Sequence, residues 1–332
     1  MRISNILLFC CTLLAVFGCQ KNKCEIPSEI ADIKVDFEAQ RLEKELFSVK
    51  SKEEVSAFLK KHPLFADRFL QRKRYQTEDE LVDNLYGMAT EPNLKQLASD
   101  ADERFKDLDV LETDLETAFK HLKYYYPETK IPQLATFVTG MGQDLYLDDS
   151  LLVWGLDFFI GPKAKYRPPF PKYILYRYDK PYVVPTTVLL ISDKYNKTDP
   201  ENSTMLGEMI ANGKSLYFTQ RMLPCTPDSL IIGYTNQQMA DVYYNQERIW
   251  GHFVEKGLLF ETEQFKIKKY VGERPNVPEI GKQCPGRIGV WVGWQIVRKY
   301  MEEHPEVTLQ QLMNETNAQK ILNESRYKPK KP

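Results

Sequence analysis

The sequence predicts a mainly helical α+β protein, in which a helical N-terminal region precedes a domain with a small sheet. Three observations carry this. Apolar stripes at helical spacing occupy the chain up to about residue 130, β-rich runs follow at Leu134 to Thr139, Leu151 to Ile160 and Tyr173 to Tyr178, and helical patterning returns from Pro185 onward. Helices, then strands, then helices is not the regular alternation that builds a parallel α/β sheet. No repeat of solenoid period and no low-complexity tract is present.

The first element is a leader. Arg2 gives a short positive start, Ile6 to Phe17 form an apolar stretch too short to span a bilayer, and Gly18-Cys19 closes it. A small residue just before a cysteine is the pattern cut by lipoprotein signal peptidase. Residues 1–18 are therefore expected to leave and Cys19 to become the lipid-bearing first residue, anchoring the protein to a membrane. Phe17 is bulky for its site, so plain secretion with Cys19 as a thiol is the other reading. Residues 19–32 are polar and aperiodic, a tether, and no later stretch reads as transmembrane.

Residues 33–130 read as the helical N-terminal region. Ser51 to Glu54 and Thr77 to Glu80 fit the capping box, in which hydroxyl and carboxylate satisfy reciprocal backbone donors, and each precedes an apolar stripe. His62-Pro63 ends the first helix. Leu108, Leu111, Leu115, Phe119 and Leu122 mark a third, ending near Tyr126-Pro127. Residues 131–327 form the α+β domain. Its strands are broken by Gly140-Met141-Gly142 and by the prolines between Pro168 and Pro171, and helices are expected at 185–195, 204–222, 235–256, 288–303 and 308–315. Residues 328–332 are a basic tail.

Charge excludes one class of partner. The chain carries 45 basic and 46 acidic residues, net −1, and loss of Arg2 makes the mature chain −2. Basic and acidic residues are interleaved almost throughout, so no nucleic-acid surface is expected.

Six cysteines fall to three once Cys10 and Cys11 leave and Cys19 is acylated. Of Cys24, Cys225 and Cys284, the last two sit in turn-like segments, Pro224 to Pro227 and Gln283 to Gly286. In an oxidising compartment that context suggests a Cys225–Cys284 disulfide, with Cys24 left in the tether. Their spacing does not suit structural zinc.

Other chemistries lack their residues. Gly140-Met141-Gly142 has no following glycine and lysine for a phosphate loop, no Gly-x-Ser-x-Gly elbow exists, and Asp148-Asp149 reads as a hairpin turn rather than a calcium cage.

Three segments carry a family resemblance: Gly155 to Gly161 (GLDFFIG), Met209 to Phe218 (MIANGKSLYF), and above all Cys284 to Met301 (CPGRIGVWVGWQIVRKYM). Together, over roughly residues 131–327, they resemble the gliding-motility lipoprotein GldB family of Bacteroidetes. The resemblance implies an envelope lipoprotein, with its domain facing the periplasm, associated with gliding motility and type IX secretion. It implies a protein partner and no catalytic residue.

More distantly, the same segments resemble predicted zinc peptidases of zincin-like fold, in which a His-Glu-x-x-His helix precedes a helix reading roughly Glu-Gly-x-x-x-Tyr-Phe. Histidines at i and i+4 grip zinc, and the second helix supplies the third ligand. Here Asn212 stands where that third ligand would be, the helix expected at 185–195 has no histidine, and His62, His121, His252 and His304 form no such pair. No metal or cofactor is expected.

Helical spacing places Ile288, Trp291, Val292, Gln295 and Arg298 near one another, with Gly289 and Gly293 admitting a close backbone. One reading is a core helix. The other is a binding groove inherited from the peptidase, comprising Asn212, Arg287, Trp291, Trp294 and Arg298, with the tryptophans and Arg298 as anchors. Two functions follow: a non-catalytic binding or assembly lipoprotein, or a periplasmic hydrolase with an unrecognised site.

Overall fold

The computed structural model describes residues 24–330. The leader, Cys19 and the start of the tether lie outside the described residues. After a single turn of helix, α1 (Ser28–Ala31), the chain forms a two-residue strand, β1 (Gln40–Arg41). Helices α2 (Lys52–Lys61), α3 (Glu78–Thr90), α4 (Pro92–Arg104) and α5 (Asp109–Tyr125) follow. Ser51 Oγ accepts from Glu54 N at 3.4 Å and Thr77 Oγ1 from Glu80 N at 3.2 Å, but the Glu54 and Glu80 carboxylates accept from Lys50 N and Gln76 N, one residue before the N-cap, so the hydroxyl half of each expected box forms and the reciprocal half does not.

Strands β2 (Gln133–Phe137), β3 (Leu145–Leu147) and β4 (Leu151–Gly155) complete a sheet of order β1-β2-β4-β3, parallel except for β3 at its edge. Alternation at period two gives the sheet two apolar faces. Ala135, Phe137, Leu151 and Val153 pack under α2 and α3, whereas Leu134, Leu152 and Trp154 face the larger core with α5 and the later helices. The helices before residue 130 thus share their sheet with the domain after it. Tyr173 to Tyr178, expected as a strand, is instead the end of a short helix (Lys172–Leu175) followed by a turn. Pro171 O accepts from Ile174 and Leu175, which turns the segment out of line with the sheet.

Four further helices frame the site: α6 (Val183–Tyr195), α7 (Met205–Met222), α8 (Asp228–Ile232) and α9 (Asn236–Tyr244). The span expected as one helix over 235–256 breaks at Asn245, whose amide donates to Asp241 O at 2.8 Å, and resumes as Gln246–Glu255. Long helix α10 (Ile288–Glu303) runs through the core and crosses α7 at near backbone contact. A Cβ on Gly293 would lie 1.8 Å from Met209 O, and one on Gly213 2.5 Å from Gly293 O, so the seam admits no side chain at either position. Among the described residues, no helix is long and apolar enough to cross a membrane.

Candidate functional site

The segment Pro285-Gly286-Arg287 is a tight turn with one outcome. Asn276 and Pro285 form an isolated antiparallel bridge, a Cβ on Gly286 would strike Arg274 O at 1.9 Å, and Arg287 takes the left-handed conformation at φ 60. That backbone delivers the Arg287 guanidinium to Ile232 O at 2.8 Å and to Glu273 at 3.5 Å. Arg177 approaches the same carboxylate from the other side with two parallel bonds, Nη1 to Oε1 at 2.9 Å and Nη2 to Oε2 at 2.6 Å. Gly233, left-handed at φ 73, leaves room for the Arg177 stem, since a Cβ there would lie 2.5 Å from Arg177 Cδ.

Two guanidiniums thus share one carboxylate, an excess of one formal positive charge. Burial acts to raise the Glu273 carboxyl, but Arg177 and Arg287 hold it below the ordinary range. Burial in turn pulls Arg287 down from its usual value despite Glu273. The Arg177 Nε is buried and has no hydrogen-bond partner.

This cluster floors a cavity of about 420 Å³, a size suited to a small ligand or a chain end. Its walls are mostly apolar and aromatic: Phe159, Phe170, Ile174, Tyr178, Tyr182 and the end of α8, with Pro185, Thr186 and Leu189 from α6. Phe170, presented by the proline cluster, stacks on Tyr178 with centroids 4.9 Å apart. Burial pushes the Tyr178 and Tyr182 phenols up to about 12, so both remain neutral O–H groups at any physiological pH. Tyr176 OH donates to Gly233 O and Tyr234 OH to Gly286 O, pinning the turns beneath the floor. Chemically the cavity offers charge, donors and aromatic surface. A larger concavity of about 660 Å³ between the β3–β4 turn and α6 has Lys194 paired with Asp149 at 2.6 Å and Arg68 with Asp148 at 3.8 Å.

Of the five residues expected in the groove, only Arg287 lines this cavity. Trp291 and Trp294 are 0% exposed and belong to the core, so neither presents a surface for a partner. Arg298 stacks over Trp294 at 3.8 Å and grips Asp228 at 2.7 and 2.8 Å while donating to Gln220 and the Tyr243 hydroxyl, a strut between α10 and its neighbours. Helices α6 and α7 do pack together, but their polar link is Asn196, whose amide donates to Ala211 O at 2.8 Å and Ser215 Oγ at 2.9 Å. The Asn212 amide turns back to Glu208 O in its own helix, an exposed bond of 2.8 Å. The expected groove is therefore not assembled.

The expected Cys225–Cys284 disulfide is not formed either. Cys284 is a buried free thiol, its carbonyl accepting from Val277 N, whereas Cys225 is exposed and lies against Cys24. Each histidine is engaged separately: His62 with Glu45, His121 with Thr117 O, His252 with Tyr270 and His304 with Glu306. Among the described residues, no three His, Cys, Asp or Glu gather as a metal site. Sequence reasoning missed Arg177 and Glu273. The density of tyrosine and arginine between Tyr173 and Tyr182 was the one available signal for this wall.

Fold and cavity together define a mainly helical α+β protein in which a small mixed sheet and a central helix pair support an aromatic cavity with a cationic floor. The chain belongs to the family described as gliding motility protein GldB, which it matches over residues 23–329. The match takes in the N-terminal helices as well as the domain to which the sequence motifs pointed. It is a lipoprotein family associated with gliding motility, which suggests a lipid anchor and a cell-envelope location. No similar curated protein and no similar solved structure is found.

Proposed function

We propose that the chain is a non-catalytic envelope lipoprotein of the gliding and type IX secretion apparatus, anchored through Cys19 with its domain in the periplasm. In this reading it binds a protein partner, and the cavity over Arg177 and Arg287 receives a carboxylate-bearing segment of that partner. The observation that carries the binding reading is the shared carboxylate: two guanidiniums against one Glu273 leave positive charge and a free buried Nε beneath aromatic walls. The family match supports the setting.

Support for a non-catalytic site comes from the lining itself. Glu273 is its one residue of a zinc-ligating type, and Arg177 already holds both of its oxygens. Zinc requires three protein ligands at a catalytic site. The relation to a degenerate zincin-like scaffold belongs to the same proposal. It is supported by the packing of α6 against α7 beside the sheet and by the α6 residues Pro185, Thr186 and Leu189 on the cavity wall.

The test is a titration of the purified chain with N-acetylphenylalanine and with its amide, alongside metal analysis and a broad peptidase assay. The acid is expected to bind at least about tenfold more tightly than the amide, with the difference lost in Arg177→Met. Equal binding of acid and amide overturns the carboxylate reading. Stoichiometric zinc or turnover overturns the non-catalytic one.

A further inference from the structure

Cys24 and Cys225 lie 201 positions apart in sequence and meet at the surface. The Cys225 thiol donates to Cys24 O at 3.4 Å, which brings the two cysteines side by side. Both are exposed. Neither segment reaches this place by chance of a loose end. The chain at Cys24 leads directly into α1, which is docked on α5 through Tyr124 OH to Glu29 at 3.1 Å. Cys225 sits in the turn between α7 and α8, closed by Thr226 N to Leu223 O at 3.1 Å.

We propose that Cys24 and Cys225 form a disulfide that clamps the membrane tether to the α7–α8 corner of the domain. The proposal rests on the envelope location suggested by the family, where disulfides persist, and not on the cavity reading. The oxidant is the disulfide of a thiol–disulfide oxidoreductase. One cysteine, as thiolate, attacks a sulfur of that disulfide, giving a mixed disulfide and releasing the oxidant's other sulfur. The second cysteine then displaces the oxidant, which leaves as a dithiol carrying the two protons and two electrons of the pair. Partial burial and then the neighbouring Cys24 raise the Cys225 thiol above its ordinary value, which disfavours its thiolate near neutral pH.

The consequence is geometric. From Cys19 to Cys24 the chain can extend at most about 18 Å, whereas an unclamped tether from Cys19 to the docked α1 at Ser28 can extend about 32 Å. With Cys19 acylated, the clamp holds the α7–α8 corner close to the membrane and fixes which side of the domain faces away from it.

Full-length protein in the host envelope, acid-quenched, alkylated and digested without reduction, tests the bond. A Cys24–Cys225 linked peptide is expected, absent from Cys24→Ser and Cys225→Ser, with Cys284 alkylated only after unfolding. Both cysteines alkylated in the quenched native protein, or either linked to Cys284, overturns the proposal. Limited proteolysis tests the clamp: dithiothreitol should speed cleavage between residues 20 and 33 about tenfold in the natural protein but not in Cys24→Ser. An unchanged rate in the natural protein overturns the clamp even where the bond forms.

Discussion

Arg177 holds both oxygens of Glu273, and Arg287 reaches the same carboxylate from the opposite side at 3.5 Å. Removing the charge of Glu273 while keeping its shape therefore acts on two guanidiniums at once. Glu273→Gln turns an amide NH₂ toward one of them, and the carboxylate is 42% exposed, so screening limits the loss of stability to about 1–2 kcal/mol. Anion binding should move the other way, since the floor then carries two uncompensated charges. Denaturant midpoints and titration with N-acetylphenylalanine read both effects, and weaker binding of the acid by Glu273→Gln would contradict this account of the floor.

The same carboxylate fixes a pH dependence. Its folded-state value lies below the ordinary 4.5, so the folded state binds fewer protons than the unfolded chain as the pH falls through that range. Its contribution is present above about pH 4.5 and is lost as the pH falls through the lowered folded value. The difference in stability between the natural protein and Glu273→Gln should therefore shrink as the pH is taken from 6 to 3, and a constant difference would count against the ion pair.

Two glycine substitutions should have opposite signs. In Gly293→Ala the new Cβ would meet Met209 O at 1.8 Å, a backbone atom that moves only if α7 and α10 separate, and a loss of about 3 kcal/mol is expected. Gly87 is exposed in the interior of α3, and a Cβ added to it would meet nothing within 4 Å, so Gly87→Ala should stabilise by about 0.5–1 kcal/mol through helix propensity alone. Thermal melts of the two variants separate a packing glycine from an incidental one.

How much of this was legible in the sequence depended on how far each interaction reaches. The hydroxyl caps at Ser51 and Thr77 are local, and helices begin at Lys52 and Glu78 as the motifs indicate. Strand β1 is two residues long and exists because β2 pairs with it, so nothing local announced it. The Arg177–Glu273 pair spans 96 positions and left no pattern to find. Trp291 and Trp294 bear out the core-helix reading of their segment and not the groove. The run Ile288 to Trp294 has no polar residue, and a helix apolar on every side is a buried helix. That missing polar face favours the core helix over a groove in which tryptophan and arginine serve as interface anchors.

Arg298 should accordingly behave as a structural residue. Arg298→Ala removes the bidentate hold on Asp228, the bond to Gln220 and the stack on Trp294, and should destabilise by about 3 kcal/mol. Arg298→Lys keeps the charge but lacks the planar fork and should recover less than half of that. If the alanine variant melts like the natural protein, Arg298 is not the strut described above.

Lys214 carries the last prediction. It is 1% exposed on α7, and its Nζ donates to Lys197 O at 2.7 Å, Met313 O at 3.2 Å and Glu315 O at 2.7 Å, three acceptors for the three donors of an ammonium. Burial lowers its pKa from 10.5 to about 8, with Glu315 opposing. The unfolded chain thus binds more protons than the folded one between those two values, and stability must rise with pH across that interval. The part due to Lys214 is complete above about pH 10.5 and is lost as the pH falls through 8, a change of about 3 kcal/mol over the whole interval. Lys214→Met removes the titration and leaves three carbonyls without their donor, so at pH 7 it should still lose about 3 kcal/mol. Denaturant midpoints of both proteins from pH 7 to 10.5 should show the natural protein gaining on the variant as the pH rises. Parallel curves would mean that the lysine keeps its ordinary pKa in the fold, and a variant as stable as the natural protein would mean that the three carbonyls do not depend on it.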